Sequence, residues 1–100
     1  MDSQDRVAAF VDEHDMDADP ACRVLDLAAE VGEVAADAAK SSEYGASPDE
    51  LSVSEDELGD ALFALLATAE ALDIDAEAAL ETSLAKYERR LGESGDAGSE

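Results

Sequence analysis

Glu30-Val31-Gly32-Glu33 and Glu57-Leu58-Gly59-Asp60 are near copies of one another. Each sets two carboxylates at i and i+3, with a glycine immediately before the second. On a helix that spacing places both acids on one face, about one turn apart. Two such helices facing one another would converge four carboxylates on a small volume, where like charges repel. A divalent cation resolves that conflict, and oxygen ligands suit a hard ion such as Mg²⁺. The pattern therefore points to metal-dependent chemistry on a phosphate-rich substrate, carried by helices.

The glycines argue for the same pairing. Glycine inside a helix costs roughly 1 kcal/mol relative to alanine, and this sequence uses alanine freely. Gly32 and Gly59 at one offset in both motifs predict close backbone contact between the two helices that carry them. Two unrelated glycines are the bland alternative. Asp26, Glu30, Glu33 and Asp37 also form a stripe that reads equally as a solvated acidic face.

One hundred residues make a single domain with little core to spare. The apolar content is mostly alanine, with leucine and valine, and no period-2 run appears, so the fold class is all-α. Small alanines bury little area each, which predicts self-association. The net charge of −21, from 27 acidic and 6 basic residues, disfavours nucleic-acid polymers, which need a basic surface. Disorder is the first alternative for so acidic a chain, but sustained helical periodicity stands against it. A salt-rich cytosol is the better reading, since the Debye length falls to about 3 Å near 1 M. The N-terminus is acidic and polar, unlike a signal peptide, and the apolar run 61–67 is too short to span a bilayer. Both point to a cytoplasmic protein. Cys22, alone, excludes an internal disulfide and reads as a small buried residue.

Helical spacing predicts a first helix over residues 3–14, with Val7, Phe10 and Val11 inward. His14 at its end meets the helix dipole favourably, and with no second histidine that role outweighs metal ligation. Asp19-Pro20 opens a second helix to about residue 40, with Val24, Leu27, Val31, Val34, Ala35 and Ala38 as its apolar stripe. Two starts compete for the third helix: Ser47-Pro48-Asp49-Glu50 and Ser54-Glu55-Asp56-Glu57 both have capping-box spacing, and the second offers Glu57 a purely structural role. The third helix runs to about residue 72, with Leu58, Leu62, Leu65, Leu66 and Ala69 toward the core. Asp75 caps a fourth, over residues 76–91, ending at Gly92, with Leu80, Leu84, Tyr87 and Leu91 inward. Residues 1–92 form the domain and 93–100 a disordered acidic tail.

Cations are concentrated near the end of the fourth helix, at Lys86, Arg89 and Arg90. Placement against a helix C-terminus explains part of this. A ligand with several negative charges explains it better.

Glu-x-x-Glu followed by Glu-x-x-Asp, Leu58-Gly59-Asp60-Ala61-Leu62-Phe63, the Asp73-Ile74-Asp75 turn and Lys86-Tyr87-Glu88-Arg89-Arg90 together resemble the MazG-like all-α nucleoside triphosphate pyrophosphohydrolases, over about residues 27–91. The resemblance implies a four-helix bundle that forms a homodimer or homotetramer; the charge of the chain would make it a halophile-type acidic member of that family. It implies Mg²⁺, or Mn²⁺ in its place, held by the catalytic acids Glu30, Glu33, Glu57 and Asp60. It further implies phosphate binding by Lys86, Arg89 and Arg90. The implied reaction is hydrolysis of an NTP or dNTP to the monophosphate and pyrophosphate. Leu84 stands where members often carry asparagine, and Ala64 where some carry a base-stacking aromatic. A phosphoribosyl-ATP pyrophosphohydrolase-like enzyme and a catalytically silent helical module are the competing readings.

Overall fold

A computed structural model describes residues 2–94. The chain forms four α-helices, α1 (Ser3–Glu13), α2 (Pro20–Ser41), α3 (Glu55–Ala71) and α4 (Ala76–Ser94), with one 3₁₀ turn, Pro48–Glu50, in the loop before α3. Among the described residues there is no strand. The all-α expectation stands.

Each helix begins on a short polar side chain that accepts from the amide three residues on. Asp2 accepts from Asp5 N, Asp19 from Cys22 N, Ser54 from Glu57 N and Asp75 from Ala78 N. Of the two competing starts, Ser54 opens α3 and Ser47 opens only the 3₁₀ turn. The first three helices also end alike. Asp15, Glu43 and Asp73 take positive φ of 51, 51 and 56°. The next amide then bonds back across the last turn: Met16 N to Val11 O, Tyr44 N to Ala39 O, and Ile74 N to Ala69 O. Glycine is the usual residue at such a corner, and here acids fill all three. Gly92 ends nothing, because α4 continues through it to Ser94. The rest of the expected tail, residues 95–100, lies outside the described residues.

Packing joins α3 to α2 and, on its other side, to α1. The buried centre is small: Ala64, Leu66, Ala67 and Ala69 of α3, with Arg23, Ser42 and Thr68. The Thr68 hydroxyl shares its one proton between the Ala64 carbonyl of its own helix at 2.7 Å and the Arg23 carbonyl of α2 at 3.1 Å, which links α3 to α2. The Arg23 guanidinium in turn donates to the Met16 carbonyl and holds the α1–α2 loop against the same place.

Several apolar residues expected inside are exposed. Leu58, Leu62 and Leu65 of α3 and Leu80, Leu84 and Leu91 of α4 each keep about half their surface, 53% for Leu62 and 51% for Leu84. Phe10, Val24 and Val31 do likewise, although Phe10 meets Phe63 edge-on with ring centroids 6.0 Å apart. Periodicity shows which side of a helix is apolar but not what covers it. The reason here is α4, which leaves the α1–α3 unit as an arm without comparable packing. The radius of gyration is accordingly 16.3 Å, against about 13 Å for a compact chain of this length. Cys22 also differs from expectation: it is exposed on the first turn of α2. The adjacent Asp19 carboxylate raises its thiol pKa and keeps it protonated.

The expected contact at the two glycines is absent. A Cβ at Gly32 or Gly59 would meet nothing within 4 Å. Both positions are exposed, and Gly59 lines the cleft between α1 and α3.

Candidate metal centre

The seam between α2 and α3 does bring acids together, by side chains rather than by glycine contact. Glu30 and Glu33 lie one turn apart on α2. Glu57 is the third residue of α3, its register set by the Ser54 cap. One carboxylate oxygen from each of the three lies within 4.8 Å of the others. Glu30 and Glu57 are half-buried and Glu33 is exposed between them. Asp60, one turn beyond Glu57, is exposed and outside this trio. Its charge nevertheless acts on both half-buried glutamates.

Two observations distinguish this trio from an ordinary acidic surface. Oε2 of Glu30 and Oε2 of Glu57 are cut off from solvent and have no hydrogen-bond partner. A buried oxygen without a donor is costly, and more so when it carries charge. Both carboxyls are held above the usual carboxylate range. Loss of hydration is the leading cause for each, followed by the charge of Glu33. Asp60 and Asp26 add to the effect at Glu30, and Asp37 and Asp60 at Glu57. The charged groups raising these two are all acids. The capping box at Ser54 is thus one-sided: the serine receives the Glu57 amide, while Glu57 Oε2 stays unbonded.

The donor set fits a divalent cation. It is all oxygen, carries formal negative charge from three side chains, and includes two orphaned atoms that an ion would satisfy. Zinc-type sites draw on nitrogen or sulfur, and the trio offers neither.

The cations Lys86, Arg89 and Arg90 lie on α4, which packs only slightly against the other helices. Lys86 Nζ sits 4.8 Å above the Tyr87 ring, and Arg89 Nε is 3.8 Å from Glu93. Arg90 is half-buried. Sequence reasoning missed Arg23 and Gln4, which fasten the loops and turns around the helices. Arg23 is buried, and its only signal was a cation isolated in an acidic stretch. Gln4 carried no signal at all.

Residues 20–93 match the MazG nucleotide pyrophosphohydrolase domain. No curated protein and no solved structure matches the chain significantly. The matched span takes in α2, α3 and nearly all of α4, including every acid of the trio. The chain belongs to the MazG family, whose domain is a hydrolase acting on nucleotide phosphoanhydride bonds. Such enzymes typically depend on a divalent metal, and the acidic cluster described above is suited to one. Among the described residues no helix is long and apolar enough to cross a membrane.

Proposed function

We propose that this protein is a Mg²⁺-dependent nucleoside triphosphate pyrophosphohydrolase, cleaving an NTP or dNTP with water to the monophosphate and pyrophosphate. Mn²⁺ would serve in its place. The observation that carries the reading is the convergence of Glu30, Glu33 and Glu57, with two buried oxygens that have no partner in the protein.

Glu30 and Glu57 would hold the ion through those oxygens, with Glu33 between them and Asp60 completing the set from the open side. When bound, the ion supplies charge neutralisation of phosphate oxygens and activation of water. Glu33 and Asp60 are the exposed members, so either can retain a free oxygen to accept the proton that the attacking water loses. Lys86 and Arg90, joined by Arg89, would hold the phosphate chain. Scission of the α–β anhydride then leaves the nucleoside with one phosphate and releases the other two as pyrophosphate.

We further read the protein as a homodimer or larger homo-oligomer, soluble in the cytoplasm and adapted to molar salt. The small alanine-rich centre and the uncovered leucines of α3 and α4 support assembly. The net charge of −21 supports the salt reading.

The test is pyrophosphate release from each NTP and dNTP with Mg²⁺ in molar KCl. Release should fall by about 10²-fold or more in Glu33→Ala and Glu57→Gln. Release that persists unchanged in both variants would remove the site. No turnover together with no metal binding would favour a silent helical module.

A further inference from the structure

The α4 arm is joined to the rest of the protomer through the turn after α3, and one side chain from α1 spans that turn. Gln4 Oε1 accepts from Ala76 N at 2.7 Å. Gln4 Nε2 donates to the Ile74 carbonyl at 2.8 Å and to Glu70 Oε1 at 3.1 Å. The orientation of the amide is fixed by its partners, since a backbone N–H can only donate and a backbone carbonyl can only accept.

These bonds complete the start of α4. Asp75 satisfies the Ala78 amide, and Gln4 satisfies Ala76, another of the amides that a helix leaves open at its N-terminus. The turn is otherwise stressed. Asp73 holds a positive φ of 56°, and the cleft around Gln4 is lined by Asp2, Asp5, Glu70, Asp73 and Asp75. Those carboxylates repel one another and would splay α1 from the turn. The neutral amide is the group that donates and accepts across the gap.

We infer that Gln4 is a positioning residue for the substrate: it sets the bearing of α4 and so the place of Lys86, Arg89 and Arg90. This rests on the reading above that those cations hold phosphate. Gln4 lies on α1, outside the matched span 20–93. Without it, α4 samples several bearings about the Asp73–Asp75 turn. Only the fraction with the cations correctly placed then binds, and apparent affinity falls by that fraction.

The experiment uses spin labels at the exposed native Cys22 on α2 and at Ala85→Cys on α4, read by pulsed dipolar distance measurement in molar KCl. Alongside it, binding of inorganic tripolyphosphate is measured with Mg²⁺ present. Gln4→Met keeps the side chain's length and removes its hydrogen bonds. Gln4→Glu can still accept from Ala76 N but cannot donate when ionised. Gln4→Met should broaden the Cys22–Ala85 distance distribution and weaken tripolyphosphate binding about tenfold, with a smaller change in Gln4→Glu. Mn²⁺ affinity at the α2–α3 acids should be unmoved in both, which shows that the fold and the metal centre survive. An unchanged distance distribution in Gln4→Met overturns the proposal. A broadened distribution with unchanged tripolyphosphate affinity overturns the substrate role. If Lys86→Ala then also leaves that affinity unchanged, the phosphate-binding reading of α4 is what failed.

Discussion

Ser54 Oγ accepts from the Glu57 amide at 3.1 Å, so the hydroxyl that opens α3 also sets the register of a carboxylate in the acidic trio. Fold and site share this bond. Ser54→Ala removes a helix cap worth about 1 kcal/mol and frees the first turn of α3. The denaturation midpoint should fall accordingly. Mn²⁺ affinity should weaken as well, whereas a loss of stability alone would mean that Glu57 is held by other means.

Glu30 and Glu57 each bury an oxygen with no donor, so neutralising either one should help the metal-free protein. Glu30→Gln and Glu57→Gln are expected to melt higher than the parent in EDTA. Both should lose divalent-ion affinity and turnover. Opposite signs for metal-free stability and metal binding are the signature of a site held ready for an ion.

Metal-free stability should depend on pH in the direction those raised carboxyls require. Between the ordinary carboxylate value and the raised one, the folded protein binds more protons than the unfolded chain. Their contribution is therefore full below the unfolded pKa and is lost as pH rises through the folded one. Melting in EDTA and molar KCl, from about pH 4 to about pH 8, should show this decline. Excess Mn²⁺ should flatten it, and adding metal near the lower end should release protons.

Leu84 is about half exposed on an arm that lacks comparable packing in the protomer. Leu84→Glu should shift the mass measured by sedimentation toward the single chain. The far-UV spectrum of α1–α3 should survive. An unchanged assembly would place the contact on another face.

Lowering the salt should loosen the fold. With a net charge of −21, removal of KCl from 1 M lengthens the range of repulsion from about 3 Å several-fold. Helical circular dichroism should fall as KCl is withdrawn and return when it is restored. A signal constant across that range would remove the salt adaptation.

Local features were the ones the sequence expressed most clearly. Asp19-Pro20 and Asp75 mark helix starts because a cap is a contact between near neighbours, and each does open its helix, whereas the choice between Ser47 and Ser54 for α3 was made by the structure. Glu30 and Glu33 share a face because their spacing on one helix dictates it. Glu57 joins them across the α2–α3 seam, where the sequence argued for the meeting from a glycine contact that the helices do not make. Tertiary relations were less legible. Leu62 and Leu84 were assigned to a core because an apolar stripe does not name its partner. Gly32 and Gly59 suggested close contact, yet the helices meet through Ala64, Thr68 and Arg23 instead. Gln4 could not be read at all: its bonds to residues 70, 74 and 76 join distant parts of the chain. Nothing in the local pattern of α1 encodes them.

Asp15, Glu43 and Asp73 occupy the left-handed corners that close α1, α2 and α3. A side chain there carries a steric penalty of roughly 1 kcal/mol that glycine would avoid. The chain thus keeps an untapped reserve at residues outside the acidic trio. Glycine at Asp15 and Glu43 together would give a sturdier and less anionic variant, fit for handling in dilute buffer.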